Sequence, residues 1–309
     1  MIQFVRNELI NKNKWDDALS KSINSYIYAY SFYLDVVADG QWDALIMDDY
    51  QMIMPLPFRI KYCVKYLYQP PFTQQLGIFY QKTCSNFDVF EFFRAIPKSF
   101  RFAEMNFNKF LLGRIPPKYL SKVNQNFELE IAGDYDRLYQ NYSTNLKRNL
   151  KKSSDFNLQE INYVEPDEII RLFQENKGAE LKSFNPQDYL RLKKLIYMLL
   201  HKGKVELRGI INQRNDVVAG AVFLRSNGRR IFLFSGLSNE GKEKGAMPLL
   251  IDNQIKRLSD EQVIFDFEGS NDENLARFYA GFGAVNFQYP SIRMNRLPFP
   301  FSYFKDLKR

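Results

Sequence analysis

Apolar positions along this chain recur with two periods, and the switches between them set out its elements. Helical stretches are expected around Trp15–Ser20 and over Ser25–Val37, where Ile27, Tyr30, Leu34 and Val37 recur at three- and four-residue steps. Trp42–Met47 reads as a strand, Asp48-Asp49 as its turn and Gln51–Leu56 as the returning arm of a hairpin. Pro55 and Pro57 have no backbone N–H, so the returning arm should end there or run along a sheet edge. Gln69-Pro70-Pro71-Phe72 is a rigid extended loop. Asn86–Ile96 follows as a helix with Phe87, Phe90 and Phe93 on one side, then Arg101–Phe107 as a strand. Pro116-Pro117 marks a connector, and the domain boundary is expected near residue 130, giving domains 1–130 and 131–309.

The second part opens with a long helix expected over Asp134–Ser153. Its stripe of Leu138, Tyr142, Leu146 and Leu150 should pack between the halves, leaving Lys147, Arg148, Lys151 and Lys152 on the other side. That basic side is either a solvated face or a contact for a phosphate-bearing acceptor or tRNA. Leu158–Val164 reads as a strand. Pro166 opens a helix with Ile169, Ile170 and Phe173 that Gly178 stops, and Asn185-Pro186 caps and starts another that ends at Gly203. Lys204–Ile211, Val217–Leu224 and Arg230–Leu237 are strands, the last two joined through a tight Asn227-Gly228 turn. Next come the turn 238–246 and a helix with Met247, Leu250, Ile251, Ile255 and Leu258 on one face. A strand over Val263–Phe267 precedes an aromatic helix ending at Gly281-Phe282-Gly283. Arg293–Arg309 is a Pro-aromatic tail expected to pack against its domain.

Composition narrows the chemistry. The 309 residues, 45% apolar and 25% charged, are globular and long enough for two modest domains or one large one. A net charge of +8 implies an anionic partner without naming it: phosphorylated donor, tRNA, lipid-linked precursor or membrane surface. No apolar run approaches the ~20 residues needed to cross a bilayer. The stretch from Met1 to Glu8 lacks the marks of a signal peptide, so cytoplasmic residence is expected. Cys63 and Cys84 form no metal-type motif and read as buried free thiols. His201 is the one histidine and ends a helix, where the local dipole suits it; histidine-dependent hydrolases and most zinc sites are therefore disfavoured. No metal is expected.

Candidate chemistry concentrates in 228–284. The turn Ser238-Asn239-Glu240-Gly241-Lys242-Glu243-Lys244-Gly245-Ala246 sets two glycines and two lysines just ahead of a helix. Backbone N–H groups at such a place, and the dipole behind them, favour a phosphate. On the strand Val263–Phe267, Ile264, Asp266 and Glu268 should point to one side, and Val263, Phe265 and Phe267 to the other. Glu268, at the C-terminal end of a central strand beside phenylalanines, is the candidate general base; pairing of Asp266 or Glu268 with a nearby Lys or Arg is the alternative.

In this order of elements the second half resembles the GNAT acyltransferase superfamily, and more narrowly its Fem-type branch, which carries two GNAT-like domains in one chain. Tyr279 and Gly283 match the superfamily's Asn-x-x-Ala-x-x-Leu-Tyr-x-x-x-Gly-Phe pattern, whereas Asp272, Leu275 and Ala284 depart from it. In the donor fingerprint Gln/Arg-x-x-Gly-x-Gly/Ala, Lys242 stands for the basic residue and Gly245 for the first glycine, with Met247 at the second small position. The resemblance implies an α/β (α+β) fold of two GNAT-like domains, each a mixed twisted sheet flanked by helices. The first half has no glycine-basic turn, and so no donor site of its own. The resemblance also implies an acyl donor in the splay between two parallel strands, its phosphates on Leu237, Ser238, Gly241, Lys242, Lys244, Gly245 and Ala246, with Tyr279 as proton donor to the leaving group. Lys147, Arg148 and Lys151 would contact an acceptor or anion. The expected function is N-acyl transfer from acyl-CoA (acetyl-CoA being possible) to a small-molecule or peptide amine by direct attack. An aminoacyl-tRNA donor, or a GNAT-like binding module without catalysis, stays open.

Overall fold

A computed structural model describes residues 1–178, 184–269 and 271–302. In chain order the first elements are β1 (Ile2–Val5), α1 (Lys12–Ser20), α2 (Ser31–Val37), β2 (Trp42–Met47), β3 (Met52–Lys61), β4 (Val64–Leu67), β5 (Phe79–Tyr80), α3 (Val89–Ala95), β6 (Phe100–Asn106) and β7 (Leu120–Ile131). There follow α4 (Tyr135–Gln140), α5 (Thr144–Asp155), β8 (Gln159–Ile161), α6 (Pro166–Phe173), α7 (Pro186–His201), β9 (Val205–Ile211), β10 (Val217–Ser226) and β11 (Arg229–Leu237). The last are α8 (Asn239–Lys244), α9 (Ala246–Leu258), β12 (Val263–Asp266), α10 (Glu273–Ala280) and β13 (Val285–Asn295). The fold is mixed α/β.

The chain divides into two compact units, Gln125–Phe287 on the one hand and Met1–Asn124 with the chain from Gln288 onward on the other. The first unit is thus discontinuous: β13 carries the chain back to it and pairs there with β6 from Ser291↔Asn106 to Asn295↔Phe102.

In the first unit the strands run β1-β2-β3-β4-β6-β13, with β5 on β3. Trp15 and Trp42, both fully buried, lie with ring centroids 5.1 Å apart, and Trp15 Nε1 donates to the Ala29 carbonyl at 2.8 Å. The helix expected over Ser25–Val37 is interrupted: Tyr30 is extended, and Ser31 starts α2 with its N–H and Oγ both held by Asp16. Nor does β3 end at its prolines. It pairs with β5 at Met52 and Ile53 and with β4 from Phe58 onward, so Pro55 and Pro57 fall in the gap where no N–H is needed on that side.

The second unit orders its strands β7-β12-β11-β10-β9-β8, with β11 and β12 the parallel pair. The long helix expected from Asp134 is two, because Ser143 accepts from the Leu146 N–H and starts α5 afresh. The stripe of Leu138, Tyr142, Leu146 and Leu150 packs inside this unit's core with Leu250, Ile251 and Phe282, not between the halves. Helix α6 lies on β10 and β11 at two glycines. A Cβ at Gly236 would sit 2.2 Å from the Ile169 carbonyl oxygen and 2.9 Å from the Phe173 nitrogen. Backbone cannot yield as a side chain can, so Gly236→Ala is expected to destabilise by about 2–4 kcal/mol. Urea unfolding measures this, and a loss under 1 kcal/mol would show that α6 slides freely.

Candidate functional site

The site begins where two strands part. β11 and β12 are paired only at Arg229↔Ile264, Arg230↔Phe265 and Ile231↔Asp266. Beyond that point β11 continues with β10 as far as Leu237, while the chain after β12 follows β7: Phe267 donates to the Phe127 carbonyl and Phe127 to that of Glu268. A bulge between Val222 and Phe223 adds a residue to β11 at Leu233 and bends it at the point of departure. From Phe232 to Leu237 no described strand pairs on the β12 side of β11, although the Leu237 carbonyl accepts from Asn176 Nδ2 at 2.5 Å.

The turn at the end of β11 is mostly helix. Ser238 caps α8, its Oγ accepting from the Gly241 N–H at 3.0 Å and its carbonyl from that of Lys242 at 2.9 Å. The Gly245 N–H bonds back to the Gly241 carbonyl. The amides of Gly241, Lys242 and Gly245, expected to cradle phosphate, are therefore spent within the turn. Lys244 is bound to Glu240 at 2.8 Å and is no free point charge. Gly245 closes α8 at φ +74° and packs on α5, where a Cβ would lie 3.0 Å from the Asn149 carbonyl oxygen. Ala246 follows as the first residue of α9, whose first turn no side chain caps. What remains is a cleft of about 560 Å³ lined by Asn149, Lys152, Asn239, Lys242, Glu243, Gly245 and Pro248. Lys242 and Lys152 are exposed and have no ion-pair partner among the described residues.

The carboxylates lie at the end of β12 and just beyond it. Val263, Phe265 and Phe267 enter the core as alternation requires, and Asp266 takes the opposite side, fully buried. Its Oδ2 accepts from Arg229 Nη1 at 3.2 Å, and its Oδ1 from Asn126 Nδ2 at 3.2 Å and from the Glu268 N–H at 3.0 Å. Arg229 Nη1 also reaches Glu128 Oε1 at 3.0 Å. Two carboxylates thus share one guanidinium out of water. Burial pushes the Asp266 carboxyl up to about 6 against the pull of Arg229, with Glu128 adding to the rise. Glu268 itself is half-buried at φ +59°, its backbone fixed by Asp266 on one side and Phe127 on the other. Tyr279 is buried against Phe267 and Phe127; burial, then the charges of Glu268 and Asp272, push its phenol far above the usual range. The structure therefore brings Glu268 and Tyr279 into one electrostatic neighbourhood, and the tyrosine stays protonated.

Of the basic residues expected to meet an acceptor, Lys147 donates to the Gln140 carbonyl at 2.9 Å and Arg148 to Asn145 at 2.8 Å, while Lys151 is exposed. Lys152, one residue further, is the member of that run in the cleft. Asn149, Arg229, Glu128 and Asn126 carry no motif in the sequence that marks them as site residues, and the last three are buried. His201 ends α7, exposed. Both cysteines are free, but neither is buried: Cys63 is exposed at the tip of a hairpin and Cys84 is half-buried.

Several solved structures share this fold. FemX aligns over 99% of this chain and 100% of its own with a TM-score of 0.68 and 10% identity. The L-PGS of Bacillus licheniformis covers 96% of this chain and 94% of its own at TM-score 0.58 and 11% identity. A tandem GNAT protein from the clavulanic acid biosynthesis pathway covers 96% and 99% at TM-score 0.56 and 10% identity. At such identities the likeness is one of fold alone, a tandem GNAT-like fold. No family model matches the sequence, and no curated protein does.

Proposed function

We propose that this protein is an acyltransferase that moves an acyl group from acyl-CoA to an amine by direct attack. The observation that carries the reading is the parting of β11 and β12 beyond Ile231 and Asp266, with a basic cleft at the end of β11. Parallel strands share a direction, so the end of β11, the cleft beside it and Glu268 all belong to the C-terminal edge of this sheet, where open α/β sheets take ligands. The unpaired edge of Phe232–Leu237 offers backbone groups to an extended donor arm. Lys242 and Lys152 draw the donor phosphates to the first turn of α9. Glu268 takes the proton from the amine, and Tyr279, held neutral, gives one to the leaving thiolate. Positioning supplies most of the rate, and a covalent enzyme intermediate is unnecessary.

Thermal denaturation with CoA and acetyl-CoA tests this. At millimolar ligand and a Kd below ~100 μM, stabilisation is about 1.4 kcal/mol and Tm rises by roughly 2 °C. Lys242→Ala with Lys152→Ala should abolish the shift.

The basic face of α5 favours a second reading, in which the acyl donor is an aminoacyl-tRNA. Lys151 and Lys152 make no ion pair with described residues, and charge of this kind suits a nucleic-acid backbone. No shift with any CoA ester, together with RNA binding that falls steeply with salt, selects that reading. RNA binding without transfer from charged tRNA would leave a GNAT-like binding module.

A further inference from the structure

The first unit displays a feature that acyl transfer does not use. β3 and β4 form a hairpin in register Phe58↔Leu67, Arg59↔Tyr66, Ile60↔Lys65 and Lys61↔Val64, closed by Tyr62 and Cys63 alone. Both residues have positive φ, 51° and 61°. Two-residue turns of this kind favour Asn-Gly, which the chain supplies at Asn227-Gly228. An aromatic residue and a thiol held in a conformation that side chains resist mark a tip shaped for something other than stability.

What the tip shows to solvent is apolar and basic at once. Tyr62 is 88% exposed and Ile60 65%. Arg59 and Lys61 belong to the hairpin itself, and Lys98 and Arg101 lie in sequence on either side of Phe100, which pairs with Lys65 where β4 runs parallel to β6; all four are charged, and Lys61, Lys98 and Arg101 are exposed. None of these four cations has an ion-pair partner among the described residues. Arg59 lies over the Tyr68 ring, 4.4 Å from its centroid, and lines a recess of about 430 Å³ with Lys61, Tyr66, Gln41 and the acidic Asp39. Lys65 braces the base of the hairpin: its Nζ reaches Asp43 at 2.8 Å and lies 3.7 Å from the Phe58 ring centroid.

We infer that this hairpin tip docks the protein on an anionic lipid surface. Tyr62 and Ile60 enter the headgroup boundary, and the four cations meet lipid phosphates, with Arg59 and Lys61 presenting the recess to one headgroup. The charge complementarity decides the occupant: an apolar protein partner would not call for cations without ion-pair partners on the hairpin and on the stretch that pairs with it, and a nucleic acid would leave Ile60 in water. Interfacial anchors combine these two terms.

Sedimentation of the full chain with vesicles tests it. Vesicles of phosphatidylcholine with 30% phosphatidylglycerol at low salt should carry the protein down at least tenfold more than pure phosphatidylcholine. Tyr62→Asp and Lys61→Glu, both at exposed positions the fold does not need, should each lower that partition at least fivefold. Lys122→Glu, which removes the same charge elsewhere in the unit, should lower it less than twofold. Equal losses with Lys61→Glu and Lys122→Glu would reduce the effect to net charge and overturn the inference. So would unchanged partition of Tyr62→Asp, no sedimentation with anionic vesicles, abolition of binding by 10 mM glycerol phosphate, or tip-dependent binding to polyuridylate in place of vesicles.

Discussion

Replacing Glu268 with glutamine is expected to lower turnover by about 10²- to 10⁴-fold while donor affinity stays within twofold of the parent. The substitution keeps shape and removes only the proton acceptor. Asp266 holds the N–H of residue 268 and Phe127 its carbonyl, and the substitution leaves both bonds in place, so the left-handed backbone should survive. A Tm within about 1 °C of the parent checks that. Pre-steady-state release of thiol from a bound acyl donor, or of tRNA if that is the carrier, then separates chemistry from binding. Unchanged turnover would take Glu268 out of the mechanism and leave a bound water to accept the proton.

Arg229→Met should destabilise the protein by about 3–5 kcal/mol near pH 8 and by clearly less near pH 5. The guanidinium is bonded to both Glu128 and Asp266, and without it two carboxylates are left buried beside each other. In the parent, the raised Asp266 value means that the folded state holds a proton which the unfolded chain releases at lower pH. This group's contribution is therefore present below about pH 4 and is lost as pH rises through about 6. Removing Arg229 strengthens that dependence, because the carboxyl becomes harder still to ionise. Urea midpoints at the two pH values read the difference. An equal loss at both, or one below 1 kcal/mol, would mean that water reaches the cluster.

Much of the second unit was legible because its signals are local. The Asn185-Pro186 helix start appears as a full capping box, and Asn227-Gly228 closes a hairpin with both residues at positive φ. The alternation of Val263, Phe265 and Phe267 against Ile264 and Asp266 sorted the core correctly. Errors arose where a distant partner decides. Ser143 breaks a helix that the leucine stripe joined, since its hydroxyl caps α5 and its N–H bonds the Gly281 carbonyl. The glycine-lysine turn was located, but its amides close on their own helix, a matter of backbone geometry that composition does not carry. Asp266, buried and with its carboxyl raised, takes Arg229 from β11 and Asn126 from a position some 140 residues earlier. The chain's return at β13 has no local mark at all, because a strand pairs equally well with a neighbour in either unit.

That return fixes the order in which the molecule can be completed during synthesis. Residues 125–287 form a contiguous segment that can fold as soon as it clears the ribosome. The earlier-made part must instead keep the β6 edge unpaired until 291–295 emerge to cover it. The half translated first is thus the half finished last, and that waiting strand is where a nascent-chain chaperone would have most to shield.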